Sequence, residues 1–262
     1  MRPIPPIPPV GSRLDGAGAV VTGAGSGMGR ATAILLARAG ASVAATDVRA
    51  ETAQAVADEI IGEGLSARGW ALDVADQTAI QRVVEETMAA FGDLSIIVNN
   101  AGISANLPID DAGYDAQWDR HLAVLLTAQQ RLIRAALPHL RQAAHPRIVN
   151  IASTEGLGAT AGFSAYSAAK AGVIGLTRSL AVELGKSGIT VNCICPGPVE
   201  TGMTQGIPDD AKQVYAARRT ALRRYGLPEE VAFMTASLCA PAASFVTGAI
   251  IPVDGGLMAR NA

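Results

Sequence analysis

Seven short apolar runs, separated by longer stretches of helical spacing, constrain this chain more than any other feature. They lie at 19–22, 42–47, 67–73, 94–99, 147–152, 190–194 and 249–253, with helical patterns near 28–39, 50–62, 76–90, 114–143, 164–186 and 228–240. The runs are apolar nearly throughout, which is the pattern of parallel strands covered on both faces. Strand and helix alternating this often predict a single α/β domain, a doubly wound parallel sheet of seven strands with helices on both faces. No shift in composition marks a second domain, so 14–262 is expected to form one unit behind a tail at 1–13.

That tail carries five prolines in its first nine residues. It lacks the unbroken apolar centre of a signal peptide and reads as a stiff, polyproline-like extension. Residues 231–253 contain no charge, long enough to raise a membrane span. Pro241 and the segment SFVTG divide them into a helix and a strand, so no membrane insertion is expected. Net charge is −2 with no basic block, which removes the electrostatic footprint of a nucleic-acid binder. Cys193, Cys195 and Cys239 have neither disulfide-framework nor zinc spacing, so no metal site is expected and a reducing cytoplasm fits. Cys193 and Cys195 share one face of a strand and read as small buried hydrophobes.

The first strand runs directly into TGAGSGMGR. Gly23, Gly27 and Gly29 fall where strand becomes helix, where glycines let backbone N–H groups approach a pyrophosphate at the positive helix end. Asp47 closes the second strand, placed to accept hydrogen bonds from ribose hydroxyls and to repel a 2′-phosphate. This favours NAD over NADP, although Arg30 and Arg49 lie close enough in sequence to soften the preference.

A second cluster is SAYSAAKAG at 164–172. Tyr166 and Lys170 share a helix face at i, i+4. A free tyrosine has a pKa of about 10, and a nearby ammonium is expected to favour the phenolate and lower that value. Ser153, at the carboxyl end of the fifth strand, sits where open α/β sheets bind ligands. Its hydroxyl can orient a substrate oxygen toward Tyr166. No acid–histidine pair accompanies the serine, so a hydrolytic nucleophile is not expected. His121, His139 and His145 read as ordinary helix and surface residues.

Together these segments resemble the short-chain dehydrogenase/reductase family. The match comprises TGAGSGMG at 22–29, LDV at 72–74, NNAG at 99–102, Ser153, Tyr166 with Lys170, the stretch from Val191 through PGPVET, and VDGG at 253–256. The resemblance implies a Rossmann-type subunit, usually in a homotetramer, that interconverts a small-molecule alcohol and carbonyl. It places Gly23, Ser26, Gly27, Met28 and Gly29 at the cofactor phosphates and Asp47 at the adenosine ribose. Asp73 and Val74 would lie by the adenine, with Asn100, Ala101 and Gly102 beside the cofactor. Pro196, Gly197, Val199 and Thr201 would meet the nicotinamide end. Ser153, Tyr166 and Lys170 would carry the chemistry, with Lys170 also holding a ribose hydroxyl. Residues of about 202–227 would form the substrate lid.

One position departs from that pattern. HLAVLLTAQQRL at 121–132 carries a stripe of Leu122, Leu125, Leu126, Gln129 and Leu132 and is expected to be an amphipathic helix. The resemblance expects an asparagine at Leu125, where it helps hold a water near the lysine. The backbone carbonyl could suffice there, Thr127 could substitute, or proton exchange could be slow.

The expected activity is NAD-dependent interconversion of a secondary alcohol and a ketone. The alternatives are a 3-oxoacyl-thioester (acyl carrier protein) reductase, against which Asp47 counts if NADPH is required, and a weakly active NAD-binding sensor or interaction protein. Leu107, Leu157, Phe163 and Met203 suggest an apolar substrate lining, with Glu155 as a polar contact.

Overall fold

A computed structural model describes residues 11–260. Most of the proline-rich tail lies outside them. The seven strands are β1 (Gly18–Thr22), β2 (Ser42–Asp47), β3 (Ala67–Ala71), β4 (Ile96–Asn99), β5 (Arg147–Ile151), β6 (Thr190–Pro196) and β7 (Ile250–Val253). They form one sheet in the order β3-β2-β1-β4-β5-β6-β7, and every pairing is parallel.

Successive strand residues point to opposite faces, and both faces are apolar. Ala19, Val21, Val43, Ala45, Ile96 and Val98 join one core. They pack there with α1 (Gly27–Arg38), α2 (Ala50–Gly62) and α8 (Pro228–Cys239). Val20, Ala44, Ile97, Ile148 and Val191 join the other, against α3 (Gln77–Phe91), α5 (Ala128–Leu140) and α6 (Ser164–Leu184). Full burial of a Val, Leu or Ile contributes roughly 1.5–3 kcal/mol, so these two rows hold the layers together. The uncharged stretch at 231–253 divides as expected into the end of α8, a 3-10 turn at Pro241–Ala243 and β7. Among the described residues no helix is long and apolar enough to cross a membrane.

Strand ends follow the reach of the neighbouring strand rather than the apolar run. β3 stops at Ala71 instead of residue 73 because its partner β2 ends opposite it, at Asp47. β4 starts at Ile96 instead of 94, where pairing with Ala19 of β1 begins. β6 continues past residue 194 because Cys195 and Pro196 pair with Pro252 and Val253.

The largest departure is in the helix expected at 114–143. It is three segments: α4 (Tyr114–Leu122), one π-helical turn (Ala123–Thr127) and α5. In the turn the Ala128 N–H bonds the Ala123 carbonyl five residues back. That extra residue changes the phase of the stripe, so Leu125, Ala128, Gln129 and Leu132 are buried while Leu122 and Leu126 are only partly so.

Candidate active site

The carboxyl ends of β1, β2, β4, β5 and β6 meet on one edge, where the strand order leaves β1 between β2 and β4. The glycine turn between β1 and α1 lies there. A Cβ on Gly29 would sit 2.1 Å from the Gly23 carbonyl oxygen, and one on Gly23, at φ +62°, 2.8 Å from the Ala101 Cα. Only glycines allow backbone to lie this close to backbone. The Asn100 amide locks the turn by donating to the Thr22 and Gly23 carbonyls at 2.9 and 3.2 Å. Ser26 caps α1 without a side-chain hydrogen bond, and the first turn holds no acidic residue. The helix start therefore offers N–H groups and positive potential to an anion.

A cleft of about 470 Å³ opens from this turn. Gly23, Ser26, Gly27, Met28, Gly29, Asp47, Asn100, Gly102, Tyr166, Lys170 and Thr201 all line it. Asp47 is fixed, one carboxylate oxygen accepting the Gly25 N–H at 3.1 Å and the other the Arg49 N–H at 3.1 Å. Arg30 is drawn away into an ion pair with Glu59. Asp73, Val74, Ala101, Pro196, Gly197 and Val199 do not line the cleft. Asp73 instead accepts the Ala75 N–H at 2.9 Å just beyond the end of β3, and Val74 is buried in the core. Glycines that admit backbone, amides that face an anion and a carboxylate anchored at the far end fit a dinucleotide.

Beyond Tyr166 lies a second cavity of about 440 Å³, lined by Ser153, Glu155, Phe163, Tyr215 and Tyr225 among others. Tyr166 lines both spaces. Of the lining expected from sequence, Phe163 and Glu155 are present. Leu107 and Leu157 are not, and Met203 faces the glycine cleft instead. Tyr215 on the helix following the lid turn, and Tyr225, Ser104 and Ile207 on loops, reach the cavity from separate parts of the chain, which local sequence does not reveal. Within 202–227, a 3-10 turn (Gly202–Thr204) leads to α7 (Asp209–Arg219). This helix is tied down where Lys212 meets Glu200 at 2.6 Å, beside the ring of Tyr225.

Ser153 starts a 3-10 turn (Thr154–Gly156), and its hydroxyl accepts the Glu155 N–H at 3.1 Å. Lys170 is buried and donates to the Ile151 carbonyl at 2.7 Å, with Nζ 5.7 Å from the Tyr166 ring centroid. Burial lowers its pKa to about 8. Burial also pushes the Tyr166 hydroxyl above its ordinary value, and the Glu155 charge adds to this, while the Ser153 hydroxyl favours the phenolate. The lowering expected from Lys170 is therefore not found, because burial of the Tyr166 hydroxyl dominates.

α6 is held against the sheet by a buried polar chain that the motifs did not announce. Asn99 donates to Asn150 at 2.9 Å, Asn150 to Thr177 at 3.0 Å, and Thr177 to the Val173 carbonyl at 2.9 Å. His121 also differs from expectation. It is buried, its ring edge-on to Tyr166 at a centroid distance of 6.2 Å. A polar residue beside an apolar stripe reads as solvent-facing, and the π turn is what alters the phase here.

The buried ammonium has a consequence for stability. The unfolded lysine titrates near 10.5 and the folded one near 8, so the unfolded state binds more protons between these values. The cost of burying Lys170 is complete below about pH 8 and is relieved as pH rises toward 10.5. Lys170→Met is expected to stabilise the fold at pH 7 by on the order of 2 kcal/mol, net of the lost hydrogen bond. Urea unfolding at pH 7 and at pH 10 checks this, and the gain should shrink at the higher pH.

Residues 23–258 match the family described as enoyl-(acyl carrier protein) reductase. The chain is 43% identical over 242 residues to cis-4-hydroxycyclohexanecarboxylate dehydrogenase of Sinomonas cyclohexanicum, covering 92% of this chain and 96% of the relative. It is 39% identical over 238 residues to a (2S)-((R)-hydroxy(phenyl)methyl)succinyl-CoA dehydrogenase subunit of Thauera aromatica, covering 91% and 95%. It is 36% identical over 246 residues to 3-oxoacyl-(acyl-carrier-protein) reductase of Thermotoga maritima, covering 94% and 99%. Among solved structures, a dehydrogenase/reductase from Sinorhizobium meliloti 1021 superposes with a TM-score of 0.89 at 41% identity, covering 96% of this chain and 97% of that one.

Proposed function

The chain belongs to the short-chain dehydrogenase/reductase family, as a nicotinamide-dependent oxidoreductase acting on CH–OH groups, and we propose that it uses NAD to interconvert a secondary alcohol and a ketone on an apolar, ring-sized substrate. The observation that carries this reading is that Tyr166 lines both the glycine cleft and the cavity beyond it. One hydroxyl thus reaches the space for a cofactor and the space for a substrate.

Gly23, Gly27, Gly29 and the start of α1 would hold the pyrophosphate, Asp47 the adenosine ribose, and Asn100, Gly102 and Thr201 the nicotinamide half. The bound nicotinamide supplies the acceptor or donor for a hydride. Ser153 orients the substrate oxygen, and Tyr166 moves the proton at that oxygen as general acid or base. Lys170 carries its charge at the floor of the cleft beside Tyr166. Phe163, Tyr215 and Tyr225 give the cavity three aromatic walls suited to an apolar ring. Exposed Val182, Phe233 and Phe245 support assembly with copies of the same chain, as a homotetramer by family resemblance.

A 3-oxoacyl-thioester reductase is the second reading, favoured by the Thermotoga relative. The two separate on cofactor and substrate. Formation of NADH or NADPH is followed with cyclohexanol, 4-hydroxycyclohexanecarboxylate, 1-phenylethanol and a 3-hydroxybutyryl thioester. The expected result is an alcohol oxidised with kcat/KM at least about tenfold higher for NAD than NADP, roughly 1.4 kcal/mol. Turnover of the thioester alone, with NADP preferred, overturns the proposal.

A further inference from the structure

His121 is 1% exposed. Its Nδ1 lies 2.8 Å from the Gln117 carbonyl oxygen. A carbonyl only accepts, so Nδ1 carries the proton and Nε2 of the neutral ring is a bare acceptor. That Nε2 has no hydrogen-bond partner among the described residues. A buried acceptor left unpaired costs about 1–3 kcal/mol, and an apolar side chain of similar size would avoid the cost. The ring stands at 84° to Tyr166, edge-on, at the end of α4 where the π turn begins. Single π turns are frequent at functional sites.

Donors are gathered on the other members of this cluster. Lys170 has three ammonium protons and places one on the Ile151 carbonyl. Tyr166 adds its hydroxyl. We propose that His121 is a positioning residue for the Tyr166–Lys170 pair, its unpaired Nε2 accepting a hydrogen bond from these donors through a bridging water. This buried acceptor fixes the orientation of the tyrosine and its proton supply without touching the substrate cavity, whose lining does not include His121. Leu125, one turn further along the buried face, packs over Gly102 at the wall of the cleft and offers no polar atom. An amide at Leu125 would return a hydrogen-bonding group to this buried helix face, so the group can be tested apart from the residue.

The inference rests on Tyr166 as acid or base. Wild type, His121→Ile, Leu125→Asn and the double variant are assayed with NAD and the fastest alcohol of the panel above. His121→Ile is expected to lower kcat by about tenfold, with both KM values unchanged and the thermal midpoint equal or higher. A merely structural role would lower that midpoint. Leu125→Asn should restore most of the loss when added to His121→Ile. His121→Gln, which keeps an acceptor, should retain kcat, and His121→Met serves as the apolar variant if His121→Ile does not fold. An unimpaired apolar variant, a kcat loss matched by a lower midpoint, or a loss that Leu125→Asn leaves unchanged overturns the role of His121. Wild-type turnover in Tyr166→Phe overturns the reading beneath it instead.

Discussion

Tyr166→Phe is expected to lower turnover by about three orders of magnitude, at the middle of the range for removing a general acid or base. Only the hydroxyl is lost. The ring keeps its edge contacts with His121 and Phe163, each at a centroid distance of 6.2 Å, so α6 should hold its place against the sheet. The glycine turn, Asp47 and Thr201 are untouched, so NADH affinity by fluorescence titration should change little. The thermal midpoint should hold or rise, since a partly buried hydroxyl is removed. In the wild type, alcohol oxidation should speed up with rising pH, because burial keeps the Tyr166 hydroxyl protonated beyond its ordinary range. The variant should lose that dependence. Turnover within tenfold of wild type would remove Tyr166 from the chemistry.

The second large effect is expected at the opposite end of the cleft. Asp47→Asn keeps the shape of the side chain and removes its charge. A 2′-phosphate brought against the Asp47 carboxylate meets a like charge, whereas the ribose hydroxyls of NAD meet an acceptor. The ratio of kcat/KM for NAD to that for NADP should fall by about a hundredfold, roughly 2.7 kcal/mol. Arg30 does not compensate in the wild type because Glu59 holds it. Adding Glu59→Gln should release that guanidinium and move the ratio further toward NADP. Steady-state kinetics with both cofactors decide the matter, and an unchanged ratio would mean that Asp47 does not set the preference.

The sheet was legible because its cause is local: a strand covered on both faces must be apolar at most of its positions. Its ends were less so, since Ala71 and Ile96 are set by partner strands far away in sequence. The glycine turn could be read because backbone packed on backbone admits no other residue. Tyr166 and Lys170 could be read because helical spacing puts them on one face. Their electrostatics could not, since the Ile151 carbonyl that engages Lys170 comes from a strand nineteen residues away. The π turn was hidden because periodicity assumes a constant 3.6 residues per turn, and one added residue rotates everything before it by about 100°. That rotation is why His121 passed for a surface residue. The substrate cavity was least legible, its walls coming from Ser104, from Tyr215 on α7 and from Tyr225, which lie far apart in sequence.

The ion pair of Glu200 and Lys212 joins regions that the two ligands touch separately. Glu200 precedes Thr201, which lines the glycine cleft, and Lys212 lies on the helix whose Tyr215 walls the cavity. A ligand that held residues 200–202 would also help hold α7 in place through this ion pair. Coupling of this kind is mutual, so whatever factor one ligand lends the other's affinity is returned in full. Breaking the pair with Glu200→Gln would then loosen both halves of the site together, so that neither affinity would be a property of its own half alone.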